Sequence, residues 1–295
     1  MKLKGLKSLV TGSEGFVGRH LVSSLKQKGA EVLEIDVQKG VDLTKNKQID
    51  DYIKNTSSLD IIFHLAAIVF VPYSFKNPWI TYKTNLLGTL NMLEIARKMD
   101  VKKFVFASSY VYGTPKYLPI DENHPLQANS PYNRSKIIGE ELCRGYYEEY
   151  GCKCIILRPF NIYGIGQNKQ FLIPEIIDQL QFNKIVLRDP NPKRDYVYID
   201  DVVSAYIKVA INDFFGFETF NIGTGCSYSV KEIVDKIIKL SKKKEVVINY
   251  TNKKRENEIN NIVANIQKAK DKLSWQPLID INKGLSLILK EKNFM

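Results

Sequence analysis

Short runs of β-branched and aromatic residues alternate along the first half of the chain with stretches whose apolar positions recur every three or four residues. The runs Ser8–Thr11, Val32–Asp36, Ile61–His64, Phe104–Ala107 and Cys154–Leu157 predict strands, and Phe16–Lys28, Gln48–Asn55, Trp79–Met99 and Tyr132–Tyr150 predict helices between them. Strand and helix in strict alternation predict an α/β fold, a doubly wound parallel sheet of Rossmann type with helices on both faces.

After Arg158 the regularity loosens. Pro159, Gly164, Gly166, Pro174, Pro190 and Pro192 break the chain into short pieces around one helix at about Glu175–Leu180. The run Tyr196–Ile199, the helical pattern Asp201–Ile211 and the strand Thr219–Ile222 are expected to return to the large sheet. From Val230 onward, Lys-rich amphipathic helices surround a strand at about Val246–Asn249. The expected organisation is a dinucleotide-binding domain over 1–162, to which 195–222 returns, and a smaller, interleaved C-terminal substrate-binding domain from 163–194 and 223–295.

Composition narrows the class. With 295 residues, 44% hydrophobic and 25% charged, the chain is neither disordered nor a membrane protein in composition, and it is long enough to bury a core without disulfides or metal. Its longest apolar stretch, Ile61–Val71, is interrupted by His64 and falls short of the roughly 20 residues that cross a bilayer. Met1–Leu9 runs straight into a Gly-rich segment, so no export signal is expected and a cytoplasmic location follows. Cys152 and Cys154 would share one face of a strand, a poor geometry for bridging each other. With Cys143 and Cys226 they are expected to be reduced and structural, and no zinc spacing is present. The net charge of +11 favours an anionic partner. Because the lysines are spread through helices rather than interleaved with aromatics on one surface, nucleic acid is disfavoured, and charge alone does not choose between anionic lipid and a phosphorylated metabolite.

The segment Ser8–Gly18 reads as strand, Gly-rich turn and helix, with Gly12, Gly15 and Gly18 three residues apart. Glycines let backbone approach a pyrophosphate, and the following helix offers free amides and a positive dipole end. Asp36 ends the next strand roughly 20 residues on, where a carboxylate accepts from both adenosine ribose hydroxyls and repels a 2′-phosphate, favouring NAD over NADP. Asp42 is a candidate for the adenine, although Asp in a loop is commonly a turn former.

Tyr132 and Lys136 stand four apart on a predicted helix, hence on one face. A phenol has a pKa near about 10, and an ammonium with a cationic nicotinamide would lower it toward working pH, making a general base for an alcohol. Ser108 follows the strand Phe104–Ala107 at the carboxyl edge of the predicted sheet, where its hydroxyl could share the substrate's proton. His64 is expected to be a packed strand-end residue rather than a catalyst.

Taken in order, Thr11-Gly-Ser-Glu-Gly-Phe-Val-Gly18, His64-Leu-Ala-Ala67, Asn85-Leu-Leu-Gly-Thr-Leu-Asn91, Ser108-Ser-Tyr-Val-Tyr-Gly113, Ser130-Pro-Tyr-Asn-Arg-Ser-Lys136, Arg158-Pro-Phe-Asn-Ile-Tyr-Gly164, Arg194-Asp-Tyr-Val-Tyr-Ile-Asp-Asp201 and Asn221-Ile-Gly-Thr-Gly225 resemble the extended short-chain dehydrogenase/reductases, specifically the nucleotide-sugar epimerase/dehydratase family. The resemblance covers nearly the whole chain. It implies a catalytic trio of Ser108, Tyr132 and Lys136, with Lys136 also holding the nicotinamide ribose. It further implies NAD contacts from Gly12, Gly15, Phe16, Val17, Gly18, Asp36, Asp42, Leu43, Leu65, Ala66, Ala67, Asn85, Tyr132, Lys136 and Pro159. Substrate contacts are implied for Ser108, Tyr132 and Asn161, with Arg194 and Arg255 clamping a nucleotide diphosphate. Surface salt bridging is the competing reading of both arginines, since each adjoins an acidic residue. A homodimer through the helices at about Trp79–Met99 and Tyr132–Tyr150 is likewise implied.

The resemblance implies a nucleotide-sugar 4-epimerase, which oxidises the sugar at C4 transiently and returns hydride to its other face. The alternative is an NAD(P)H-dependent 4-keto-6-deoxy nucleotide-sugar reductase, which Val71-Pro72-Tyr73 through Asn91 also resembles. A 4,6-dehydratase needs an acid pair after the catalytic hydroxyl, and Ser109-Tyr110 stands there instead. A dinucleotide-sensing protein without turnover is disfavoured by the intact trio.

Overall fold

The computed structural model describes residues 3–213, 216–253 and 258–295. The strands in chain order are β1 (Lys7–Thr11), β2 (Glu31–Ile35), β3 (Ile61–His64), β4 (Lys103–Ala107), β5 (Cys154–Pro159), β6 (Asn161–Tyr163), β7 (Lys184–Leu187), β8 (Lys193–Tyr198), β9 (Phe217–Ile222), β10 (Ser227–Ser229) and β11 (Val247–Tyr250). Six form one parallel sheet in the order β2-β1-β3-β4-β5-β9. The chain passes from β1 outward to β2, then back across for β3, so the strand order reverses beside β1. A crevice at the carboxyl ends of the strands belongs at that reversal.

Strand alternation divides the core into two layers. Val10, Ile61, Phe63, Val105, Ile155 and Leu157 face helices Phe16–Gln27 and Ile199–Ile211 through Leu21, Leu25, Val202 and Tyr206. Leu9, Ile62, Phe104, Phe106 and Ile156 face helices Gly88–Lys98 and Pro131–Tyr150 through Met92, Leu93 and Cys143. With both faces covered, β3 and β5 are buried along their whole length, His64 and Arg158 included. The helix expected over Trp79–Met99 is composite: Pro78–Tyr82, a π turn at Lys83–Leu87, then Gly88–Lys98. A short helix, Val71–Lys76, precedes it.

The second half builds a smaller lobe. It holds a three-stranded sheet in the order β10-β8-β6, the parallel pair β11-β7, and helices Leu172–Leu180, Val230–Leu240 and Ile281–Glu291. Here one expected element moves. The run Tyr196–Ile199 does not join the large sheet: β8 pairs with β6 on one side and β10 on the other, and the return is made by helix Ile199–Ile211 and then β9. The four cysteines are free thiols. Among the described residues no helix is long and apolar enough to cross a membrane.

Candidate active site

At the end of β1 the backbone itself shapes the site. Gly12 has φ +69°, and a Cβ there would lie 2.8 Å from the Ala66 amide nitrogen; a Cβ on Gly18 would lie 1.9 Å from the Gly12 carbonyl oxygen. Glycine is required at both, because main chain rests on main chain. Exposed Gly15 precedes helix Phe16–Gln27, whose N-terminus has no side-chain cap, and Phe16 and Val17 lie half-buried in its first turn. Its first amides and positive dipole end therefore remain available to an anion. The buried Ser13 hydroxyl has no hydrogen-bond partner among the described residues.

Asp36 flanks this turn, buried. Its Oδ2 accepts from the Glu14 amide (3.1 Å) and its Oδ1 from the Gln38 amide (2.9 Å), leaving further lone pairs for hydroxyl donors. A cradle that a Cβ would fill, uncapped helix amides, an unpartnered hydroxyl and a carboxylate at the end of β2 together fit a dinucleotide. Asp42 accepts from Thr44 N and Oγ1 at 2.8 and 2.9 Å, an Asx turn. Buried Leu43 lies beside it, and its carbonyl accepts from Asn91 Nδ2 (2.7 Å).

Beyond β3, Leu65, Ala66 and Ala67 lie half-buried along the same edge. Thr11 Oγ1 accepts from the Leu65 and Ala66 amides (3.1 and 3.2 Å) and pairs with His64 Nδ1 (2.8 Å). His64 Nε2 pairs with Thr89 Oγ1 (3.0 Å), whose hydroxyl donates to the Asn85 carbonyl (2.7 Å). Burial, with the Lys136 charge adding, pushes His64 down to about 3, so it stays neutral and packed at the strand end. Asn85 sits in the π turn. Its side chain accepts from Ile68 N (2.7 Å) and donates to Ile68 O (3.2 Å) and Ser135 Oγ (2.8 Å), clamping the loop after β3 to helix Pro131–Tyr150. π turns of this kind recur at functional sites.

Beyond β4 the expected trio is brought together only in part. Lys136 lies beside the Tyr132 ring, Tyr132 is hydrogen-bonded with Ser109, which the sequence reading did not single out as a site residue, and the Ser108 hydroxyl is taken by Glu140. Helix Pro131–Tyr150 starts on a Ser130 cap, with Pro131 in the first turn. It lies so close to β4 that a Cβ on Gly139 would meet the Phe106 ring at 2.5 Å. This approach lets Lys136 Nζ donate to the Ala107 carbonyl (2.8 Å), immediately before Ser108, with the ammonium 4.8 Å from the Phe106 ring centre and 6.0 Å from that of Tyr132. Burial pushes Lys136 down to about 8, while Cys143 and Glu140 pull it upward. Burial likewise pushes Tyr132 up to about 12, opposed by a hydrogen bond with Ser109. The expected lowering of the phenol by Lys136 is therefore not seen: burial outweighs the Ser109 hydrogen bond.

Ser108 carries a surprise for the sequence reading. Its Oγ donates to Glu140 Oε1 (2.5 Å), and Glu140 is gripped at both oxygens by Arg158, through Nε (2.9 Å) and Nη2 (2.5 Å). Arg158 Nη1 donates to the Tyr112 hydroxyl (2.9 Å), which donates to Asn221 Oδ1 (2.5 Å). Reasoning from sequence did not single out Glu140. The available signal was spacing: it stands four residues past Lys136 and eight past Tyr132 on one helix.

On the smaller-lobe side, Pro159 closes β5, buried, and half-buried Asn161 opens β6, donating to the Asp195 carbonyl at 3.5 Å. Arg194 donates through Nη1 to the carbonyls of Lys193 (2.9 Å) and Ile259 (2.7 Å), and through Nη2 to Glu258 Oε1. Arg255 lies outside the described residues. Asp195, noticed in the sequence only as the neighbour of Arg194, is fully buried. It accepts from Thr224 N and Oγ1, Gly225 N and Ala264 N at 2.6–3.1 Å, and so fixes the two loops beside Arg194. Burial pushes its carboxyl upward against these bonds.

Comparison with known proteins bears on the family and the fold. Residues 8–223 match the NAD dependent epimerase/dehydratase family. A putative UDP-glucose 4-epimerase of Methanocaldococcus jannaschii is 37% identical, over 95% of this chain and 96% of its own length. A GDP-6-deoxy-D-mannose reductase of Pseudomonas aeruginosa is 29% identical, over 96% and 95%. The crystal structure of a Thermus thermophilus UDP-glucose 4-epimerase complexed with NAD superposes with a TM-score of 0.86 at 27% identity, over 98% of this chain and 99% of that one.

Proposed function

Because this chain belongs to the NAD dependent epimerase/dehydratase family, among the extended short-chain dehydrogenase/reductases, we propose that it is an NAD-dependent nucleotide-sugar 4-epimerase. The observation that supports the reading is the convergence of the glycine turn, Asp36, Tyr132 and Lys136 on the carboxyl edge of one parallel sheet, with Ser109 hydrogen-bonded with Tyr132. Gly12 to Gly18 and the first turn of helix Phe16–Gln27 would hold the pyrophosphate, with Asp36 on the adenosine ribose and Lys136 on the nicotinamide ribose. The side chain of Asp36 leaves no room in charge for a 2′-phosphate, which supports NAD over NADP.

When bound, the nicotinamide supplies the reversible hydride acceptor and a positive charge. Tyr132 takes the proton from the sugar's C4 hydroxyl and later returns it. Burial favours the protonated phenol, so a phenolate there would need nearby positive charge, which Lys136 and an oxidised nicotinamide would supply. Arg194 would meet the substrate diphosphate: its bonds among the described residues leave Nε and a second Nη2 hydrogen for phosphate oxygens.

The similarity to a GDP-6-deoxy-D-mannose reductase supports a second reading, a 4-keto-6-deoxy nucleotide-sugar reductase with the same trio run in the opposite direction. A panel of nucleotide sugars supplied without reductant and followed by NMR separates the two. The epimerase produces a new C4 epimer; conversion only of a keto sugar with NAD(P)H selects the reductase, and no conversion under either condition removes both.

A further inference from the structure

We propose that the turn at 181–183, the lysines at 242–244 and the outer face of the β7–β11 sheet form a docking surface for the anionic face of a lipid bilayer, on which the protein lies without spanning it.

The observation is a set of exposed apolar side chains beside a group of lysines. Phe182, in the turn between helix Leu172–Leu180 and β7, is 72% exposed, and Val247, which opens β11, is 62% exposed. The Val247 amide donates to the Asn183 carbonyl (3.0 Å), so β11 starts beside that turn. Alternation along β7 turns Ile185 and Leu187 inward and leaves Lys184 and Val186 outward. The parallel register sets Val247 opposite Lys184 and Asn249 opposite Val186, so Lys184, Val186 and Val247 share the outer face. Lys243 Nζ donates to the Gln181 carbonyl (3.4 Å), which brings the run Lys242–Lys244 against the same turn. Lys184, Lys242 and Lys244 are exposed and Lys243 is half-buried, with Glu245 the one carboxylate within 242–247.

An aromatic ring and two branched aliphatic side chains in water gain by being covered. The lysines select the cover. Ammonium groups beside an apolar tip attract lipid phosphates, and their long stems keep them at headgroup level while Phe182 and Val247 enter the acyl boundary. A neutral protein surface would cover the apolar residues and leave the four lysine charges uncompensated. Stable attachment to a bilayer surface needs two signals, and this face carries both, apolar tip and positive charge.

The test is co-sedimentation of the full chain with vesicles of phosphatidylcholine alone and of phosphatidylcholine with phosphatidylglycerol in about equal parts. At about 0.1 M salt, wild type is expected to bind the mixed vesicles and not the neutral ones, and to come off them near 1 M, where the Debye length has shrunk from about 10 Å to about 3 Å. Lys242→Gln, Lys243→Gln and Lys244→Gln together are expected to weaken binding about a hundredfold, and Phe182→Ser about tenfold. A control triple, Lys28→Gln, Lys47→Gln and Lys54→Gln, removes the same charge from exposed positions of the larger lobe and is expected to bind nearly as well as wild type. No binding to the mixed vesicles, equal binding to the neutral ones, or an equal loss in the control triple overturns the proposal. So does self-association in sedimentation velocity that Phe182→Ser abolishes without any vesicle binding, which would make this face a contact between proteins. The wild-type arms need no substitution and decide the matter even where a variant fails to fold. Vesicle binding also needs no turnover, so its failure is separate from any failure of the epimerase reading.

Discussion

The two ends of the crevice are built by different means. At the β1 end the shape is made chiefly by main chain: Gly12 packs on Ala66, and Gly18 packs on Gly12, with Thr11 and Asp36 accepting from neighbouring amides. At the β4 and β5 end it is made by side chains drawn from across the sequence, Ser108, Tyr112, Glu140, Arg158 and Asn221, joined through a buried salt bridge. A turn that has only to bind can be specified by a few consecutive residues. An end that must place a hydroxyl and a phenol to within a fraction of an ångström needs supports that arrive from several elements.

Breaking each end should therefore fail in its own way. The largest effect is expected from Tyr132→Phe, which removes the proton-carrying oxygen and nothing else: turnover falls by about a thousandfold or more, while NAD affinity, followed by fluorescence quenching or calorimetry, stays within a few fold. Gly18→Val attacks the other end. With a Cβ already 1.9 Å from the Gly12 oxygen, the turn cannot keep its path, and NAD binding is expected to weaken by at least about a hundredfold even though Tyr132 is untouched.

The smallest effect concerns pH and sharpens the same contrast. Lys136 has a folded pKa of about 8, below its ordinary 10.5. The native state thus binds this proton more weakly than the unfolded chain, so stability rises as pH climbs from about 8 toward 10.5. In the ligand-free protein, urea denaturation at pH 7.5 and 9.5 should show a gain of about 1–2 kcal/mol from this group, and Lys136→Met should abolish it. His64 behaves in the same sense in acid: with a folded pKa of about 3, its contribution is lost as pH falls from its ordinary 6.5 toward 3.

The contrast also explains what could be read from the chain. The five strands of the first half and the glycine turn were legible because period and spacing are local properties, and Tyr132 with Lys136 because four residues make a helical turn. The π turn at Lys83–Leu87 was not, since no Gly or Pro marks it and its anchor is Asn85 reaching to Ile68 and Ser135. β8 was assigned to the wrong sheet because Tyr196–Ile199 looks the same whichever partners it has; β6 and β10 decide. Glu140 shares a helix face with Lys136, but its partner Arg158 lies on β5, eighteen positions away. Asp195 was hidden in the same manner, its four donors coming from the loops at 224–225 and 264.

The central claim is transient oxidation at C4 and return from the same site. It is tested most directly by giving the NAD-loaded protein a nucleotide sugar carrying deuterium at C4, without added reductant, and following the product by NMR. The account predicts a C4 epimer with the deuterium still on C4. Loss of that deuterium to solvent, or an epimer inverted at a different carbon, would contradict it.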